Sequence, residues 1–283
     1  MRLRFGPVQI GSLRQGLSSA GPYQHIVART IDLNSDLGES FGAYTIGDDA
    51  ALMPEITSAN VACGVHGGDP LVMERTVRLA REHGVGIGAH PGFPDLVGFG
   101  RRDMRLSPAE LRTTIVYQIG ALSAFARAQG TGLQHVKGHG ALYNMAADDE
   151  VQSRAIAEAV RSVDPDLILV VLHGTVMERV GRDAGLRVAR EAFADRGYTP
   201  AGRLVGRSQP QALITDPEAV ARRVVRMVTD GVVEAIDGTE IRMTPDTICF
   251  HGDTPGAPRL VRAAREALRR AGADVASMGR WLK

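Results

Sequence analysis

Five histidines constrain this chain more tightly than any other feature. His66, His90, His139, His173 and His251 each close a short run of apolar or small residues and are followed at once by Gly or Pro, in the settings ANVACGVH-G, VGIGAH-P, HVKGH-G, LILVVLH-G and TICFH-G. A titratable side chain at the carboxyl end of a buried strand, with a turn-former after it, faces the mouth of a parallel α/β sheet. Ligands bind at that mouth in barrels and in open sheets alike. One such histidine is ordinarily a hydrogen-bonded structural residue. Repetition of the same placement argues for a site, and the chain reads as an enzyme.

Around these histidines the sequence alternates. Candidate strands fall at 31–35, 56–63, 85–90, 133–138, 167–173, 187–193 and 247–251, separated by amphipathic stretches with helix-start signals. Asp69-Pro70 sets a capping residue before a proline at the first helical position, and Ser107 to Glu110 spells a capping box. Thr215 to Glu218 repeats the box, which makes Thr215 the predicted cap. Strands joined mostly by helices imply an α/β fold of parallel βα units with right-handed crossovers. VVEAI-DG-TEIRM breaks the alternation, and Asp237-Gly238 predicts a type I′ hairpin insertion near 232–243. A single α/β barrel suits 283 residues with 44% hydrophobic content, and it is assigned to 31–283. Residues 1–30 are basic and lack a sustained apolar core, so they read as a flexible extension rather than a secretory signal.

A net charge of +1 gives no reason to expect nucleic acid or a membrane surface as a partner. No apolar stretch approaches the roughly 18 residues of a membrane span. Cys63 and Cys249 lie in apolar runs and read as buried, reduced thiols. The expectation is a cytoplasmic chain acting on a small molecule.

The polar residues concentrate in the strand exits. Asp32, Asn34, Asp36 and Glu39 fall within IDLNSDLGES, and on alternating pleats the first three share a face. Carboxylates inside a barrel are costly unless paired, hydrogen-bonded or metal-bound. Later exits add Asn60 and His66, His90 and Asp95, Lys137, His139 and Tyr143, Glu191, Asp195 and Arg196, then His251 and Asp253. Asp69 reads as a helix cap, and Arg101-Arg102 as either an anion-ordering pair or plain surface residues. Such a set can perform general acid–base chemistry, or hold a divalent metal with open positions for water and substrate. The spacing leaves both open. No HExxH helix, G-x-S-x-G elbow or GxxxxGK[ST] loop occurs.

The blocks DLNSDLGESFG, NVACGVHGGDP, GAHPGFPDLVGFGRR, HVKGHGALYN, FADRGY and CFHGDTP resemble, in order, the signature blocks of the LamB/YcsF family, from about Ile31 to about residue 275. Gly67, Gly138 and Gly206 depart from the usual pattern. The resemblance implies a seven-stranded (β/α) barrel of the glycoside hydrolase/deacetylase type. It also implies a component of an ATP-dependent 5-oxoprolinase that opens 5-oxo-L-proline to L-glutamate together with partner subunits B and C, ATP being used at the level of the complex. Since the chain shows no nucleotide motif, a partner would activate the lactam oxygen, and this chain would direct water onto the lactam carbon. The candidate catalytic residues are Asp36, Glu39, His66, His90, His139, Asp195 and His251. Candidate substrate contacts are Asn34, Lys137, Arg196, Arg207 and Asp253, with Lys137 either holding the substrate's negative charge or bridged to Asp32 or Glu191. Should a divalent metal bind, Asp36, His66 and His139 are its candidate ligands. The rival readings are a metal-dependent carbohydrate N-deacetylase and a non-catalytic substrate-binding subunit.

Overall fold

A computed structural model describes residues 29–283; the predicted extension over 1–30 lies almost wholly outside them. Arg29 and Thr30 already belong to the folded body, since the Arg29 guanidinium donates to the carbonyls of Val228 and Pro245. Strands β1 (Thr30–Leu37), β2 (Ser58–Ala62), β3 (Gly86–His90), β4 (His135–Lys137), β5 (Ile168–Leu172) and β6 (Arg187–Phe193) pair in sequence order, all parallel. After the hairpin strands β7 (Val232–Glu234) and β8 (Glu240–Arg242), β9 (Thr247–Phe250) pairs with both β6 and β1 and closes a seven-stranded barrel. A short strand β10 (Asp274–Val275) pairs with Thr30 and Ile31 at the outer start of β1.

The helices start where their caps direct. Helix α1 (Asp49–Leu52) is a single turn, whereas α2 (Pro70–Glu82) is capped by Asp69, which accepts from the amides of Leu71 and Val72. Helix α3 (Pro108–Ala128) opens on the complete Ser107–Glu110 capping box. Helices α4 (Gly140–Ala146), α5 (Glu150–Val163) and α6 (Val176–Asp183) follow, and then α7 (Pro217–Thr229) and α8 (Ala257–Arg270) pack against each other. The cap of α7 is Asp216 and not Thr215. Pro217 prefers the first helical position, which moves the cap one residue along. Among the described residues, no helix is long and apolar enough to cross a membrane.

The hairpin turn also differs from its expectation. Asp237 does not have the positive φ that a type I′ turn requires, whereas Gly238 does, at +86°. Bonds from Gly238 N to Ala235 O and from Ala235 N to Thr239 O instead make a longer loop ending in a left-handed glycine.

Outward-facing strand residues and the inner faces of the helices form the main core. Inside the barrel, Ile168, Val170 and Ala189 pack on Met278, which sits in a 3-10 turn (Met278–Arg280) that plugs the floor. Polar side chains hold this plug. Met278 N donates to Asp32 Oδ1, while Ser277 Oγ and Gly279 N donate to Gln134 Oε1.

Candidate active site

Above the plug the barrel interior is polar on one side and layered. At the bottom, the Asp32 carboxylate accepts from Thr57, Ser58 and Thr247 hydroxyls as well as from Met278 N. Burial still pushes its pKa up despite these bonds. One layer higher, Asn34 donates to Glu191 Oε1 at 3.0 Å and to Thr247 Oγ1 at 2.7 Å, and its oxygen accepts from Asn60. Asn34 is thus saturated within the interior, so the structure places it in the supporting network and not against a substrate.

Lys137 stands at the centre. Its Nζ lies 2.8 Å from Asp36 Oδ1 and 3.0 Å from Glu191 Oε1, and it donates to Cys249 Sγ at 3.0 Å. Burial opposes the ammonium charge, yet Asp36, Cys249 and Glu191 hold its pKa well above the usual lysine value. The ion pairs are therefore with Glu191 and Asp36, not Asp32, and two carboxylates already neutralise the lysine. Burial likewise works against ionisation of Asp36, but His90 and Lys137 outweigh it and hold that carboxylate well below the ordinary range. Tyr143 donates to the other Glu191 oxygen at 2.6 Å.

Two histidine groups occupy the mouth. In the first, His251 Nδ1 lies 3.0 Å from Asp195 Oδ1, and the same carboxylate accepts from His251 N and Thr254 Oγ1. Burial raises the Asp195 pKa, but His251 and Thr254 bring it below the usual value. The ring of His251 stacks on Phe193 at 5.3 Å. In the second group, Glu39, His66, His90 and His139 converge, all buried. The expected metal trio is not reproduced as such: His66 and His139 sit with Glu39 and His90, whereas Asp36 groups with Cys249 and His251. Asp36 reaches the second group through His90, at 3.5 Å.

A cavity of about 220 Å³ opens between these groups, lined by Asp36, His90, Lys137, His139, Tyr143 and His251 on its inner side. Arg101 and Arg207 line its outer side, and both reach Asp253 Oδ2, at 2.6 and 3.4 Å. Arg196 also lines it, but its guanidinium is occupied by the carbonyls of Ala212 and Val205, so it organises the 204–212 loop.

His173 is the exception among the five histidines. It is half-buried outside the barrel, its Nε2 3.5 Å from Thr244 Oγ1. Ile168 and Val170 face inward with Met278, so alternation turns His173 outward. Conversely, His135 escapes a reading based on strand exits. It is fully buried inside the barrel, with Nε2 2.7 Å from Asn60 Oδ1, and burial followed by the Lys137 charge lowers its pKa to about 3. The signal is present, because His135, Lys137 and His139 alternate along HVKGH. Gly88 faces it across the β3–β4 pairing, where any Cβ would collide with the His135 ring.

The family model for LamB/YcsF matches residues 31–283, the whole barrel and every residue of both histidine groups. The chain belongs to the LamB/YcsF family. It is 57% identical over 245 residues to the A subunit of 5-oxoprolinase from Thermus thermophilus, covering 87% of this chain and 98% of that one. The A subunit of 5-oxoprolinase from Pyrococcus furiosus is 54% identical over 253 residues, 89% of this chain and 99% of that one. A crystal structure of a lactam utilization protein from Thermus thermophilus superposes with a TM-score of 0.83 at 56% identity, over 88% of this chain and 99% of that chain. In this LamB/YcsF barrel the mouth therefore combines a carboxylate-oriented histidine, a neutralised lysine and a rim with two arginines on one aspartate.

Proposed function

We propose that this chain is the A component of a 5-oxoprolinase and that it directs water onto the lactam carbon of 5-oxo-L-proline to yield L-glutamate. The observation that carries the reading is the Asp195–His251 pair at the wall of the cavity. With Nδ1 held by Asp195, the other ring nitrogen of His251 is the one left to exchange protons with a bound reactant. His251 removes a proton from the attacking water as the oxygen bonds to the lactam carbon. When the carbon–nitrogen bond breaks, the same proton passes to the departing ring nitrogen. Asp36, kept ionised, lies across the cavity and orients the water. The surplus positive charge of Arg101 and Arg207 over Asp253 binds the substrate carboxylate or an attached phosphate.

Opening an unstrained lactam lies near energetic balance, so ATP is consumed by the complex, and partner subunits B and C supply the phosphoryl chemistry. Their docking surface is the mouth, where Tyr44, Leu96 and Val97 stand exposed in the β1 and β3 exit loops. The test is reconstitution. The purified chain should hydrolyse no ATP with or without 5-oxoproline, and glutamate should form when the B and C subunits are added. Robust ATP turnover by the pure chain, or no stimulation of glutamate formation in the reconstituted complex, would overturn the reading.

A further inference from the structure

We propose that the chain forms a symmetric dimer in which helix α3 of one copy lies antiparallel along α3 of a second copy, on the outer wall of the barrel. Charge is the first observation. Helices α2, α5, α7 and α8 each carry at least four charged residues in 13 or 14 positions, as helices with one face in water do. Helix α3 is longer, at 21 residues, yet it has only Glu110, Arg112 and Arg127, with nothing charged between the two arginines. It is not a buried helix. Leu111, Ile115 and Leu122 face the core, while Glu110, Thr113, Tyr117, Gly120, Ala124 and Arg127 are exposed. These six follow one another at alternating spacings of three and four, the seam along which two helices pack. Tyr117 is 68% exposed at the middle of the seam. Gly120 beside it weakens the helix relative to alanine, although a Cβ there would meet no atom of its own chain within 4 Å. The single chain gives no steric reason for that glycine.

The seam is complementary to itself. Glu110 and Arg127, Thr113 and Ala124, and Tyr117 and Gly120 are each equidistant from the midpoint between Gln118 and Ile119. A two-fold axis through that midpoint, perpendicular to α3, sets each residue against the other member of its pair. Tyr117 then covers the partner's Gly120, where the missing side chain leaves room for the ring, and Thr113 meets the partner's Ala124. Glu110, the one acidic residue of the helix, meets the partner's Arg127. Ser107 engages Glu110 Oε2, which leaves Oε1 for that guanidinium. On α5, α7 and α8 an exposed arginine pairs with an acid one turn away, at Arg154–Glu150, Arg222–Glu218 and Arg270–Glu266. Arg127 has Ser123 and Thr131 at those positions, so its own helix offers no such acid. This match of charge and size selects a second copy as the occupant. Helix α3 leads from the end of β3 at the mouth to the start of β4 at the floor, so antiparallel pairing points the two mouths in opposite directions. Each mouth stays open, and the dimer holds whatever reaction occurs there.

The full chain should sediment as a dimer at about 10 µM, as a standard-size contact permits. Tyr117→Arg should weaken dimerisation by about 100-fold or more, since two central tyrosines are lost at once, with Tm near wild type. Arg127→Glu should weaken it about 10-fold, and adding Glu110→Arg should recover most of that loss. Cross-linking reads the orientation. A Thr113→Cys chain mixed with an Ala124→Cys chain should form an interchain disulfide under mild oxidation, Cys63 and Cys249 being buried, whereas Thr113→Cys alone should not. A chain that stays monomeric overturns the proposal, and protection of α3 from hydrogen exchange only when the B and C subunits are added would give the seam to them instead. A dimer indifferent to folded Tyr117→Arg, or one in which Thr113→Cys cross-links with itself, overturns it too. Should Tyr117→Arg fail to fold, the milder cysteine pair decides, and no disulfide between them counts against the dimer.

Discussion

The two histidine groups at the barrel mouth both reach one cavity, through His251 and through His90 and His139, and are built on opposite principles. Around Asp195 and His251 every acceptor has a donor: the carboxylate receives a ring nitrogen, a backbone amide and a hydroxyl. Around Glu39, three buried atoms of Glu39 and His66 have no partner at all, and burial together with the nearby Asp36 charge pushes the Glu39 carboxyl well above its ordinary range. A satisfied pair with one ring nitrogen turned to the cavity is suited to passing protons. The chemical type of a histidine therefore says little until its neighbours' donors and acceptors are counted.

The largest expected effect separates the two groups by activity. His251→Asn should lower glutamate formation by the reconstituted complex by about 10²- to 10⁴-fold, the usual range for loss of a general base, with Tm nearly unchanged. Near-normal turnover in that variant would move proton transfer to the other group. Next comes the residue between them. Lys137→Met strands two buried carboxylates, Asp36 and Glu191, and should destabilise the fold by about 3–5 kcal/mol in urea titrations. A loss of activity without loss of stability would instead mark Lys137 as a direct substrate contact.

A smaller effect concerns a third kind of histidine, one bonded fully within the interior. The folded-state pKa of His135 is lowered to about 3, below its value near 6.5 in an unfolded chain. The neutral ring is favoured in the fold, so its contribution is complete above pH 6.5 and declines as pH falls from there toward 3. Between pH 7.5 and pH 5 this amounts to about 2 kcal/mol. His135→Asn should flatten the fall in urea stability over that window relative to wild type; parallel profiles would show that the ring is charged in the fold. The smallest effect belongs to the rim. Arg207→Ala should raise KM for 5-oxoproline about 10-fold with kcat little altered, as expected for a partly exposed charge contact.

Strand positions were legible because Gly, Pro and caps punctuate the chain, and alternation revealed Asp32, Asn34 and Asp36 as one inward face. His173 shows where that reading fails. Its strand is ILVVL, apolar at every position, so nothing in the sequence distinguishes the inner from the outer parity. The cap of α7 and the turn of the hairpin failed for a similar reason, each hinging on a one-residue choice made by Pro217 or by the φ of Asp237. Whether Lys137 bridges Asp36 or Asp32 also depends on barrel stagger, which sequence spacing does not encode. The grouping of Glu39 and His90 with His66 and His139 required loops folded across the mouth, and no local pattern predicts those distances.

Asp32 sits near the start of the barrel, yet one of its hydrogen bonds comes from an amide 246 positions later. During synthesis on the ribosome, all seven strands emerge before that amide does. The nascent barrel therefore carries a carboxylate in an unsealed floor until the segment around Met278 arrives and docks. Once β9 has paired with β1 and set Thr247 against Asp32, only the segment from there to Met278 remains to fold back, so sealing the floor comes late but closes a short loop. A chain released short of Ser277 would keep every residue of the mouth and still lack the seal, leaving water a route into the interior from below.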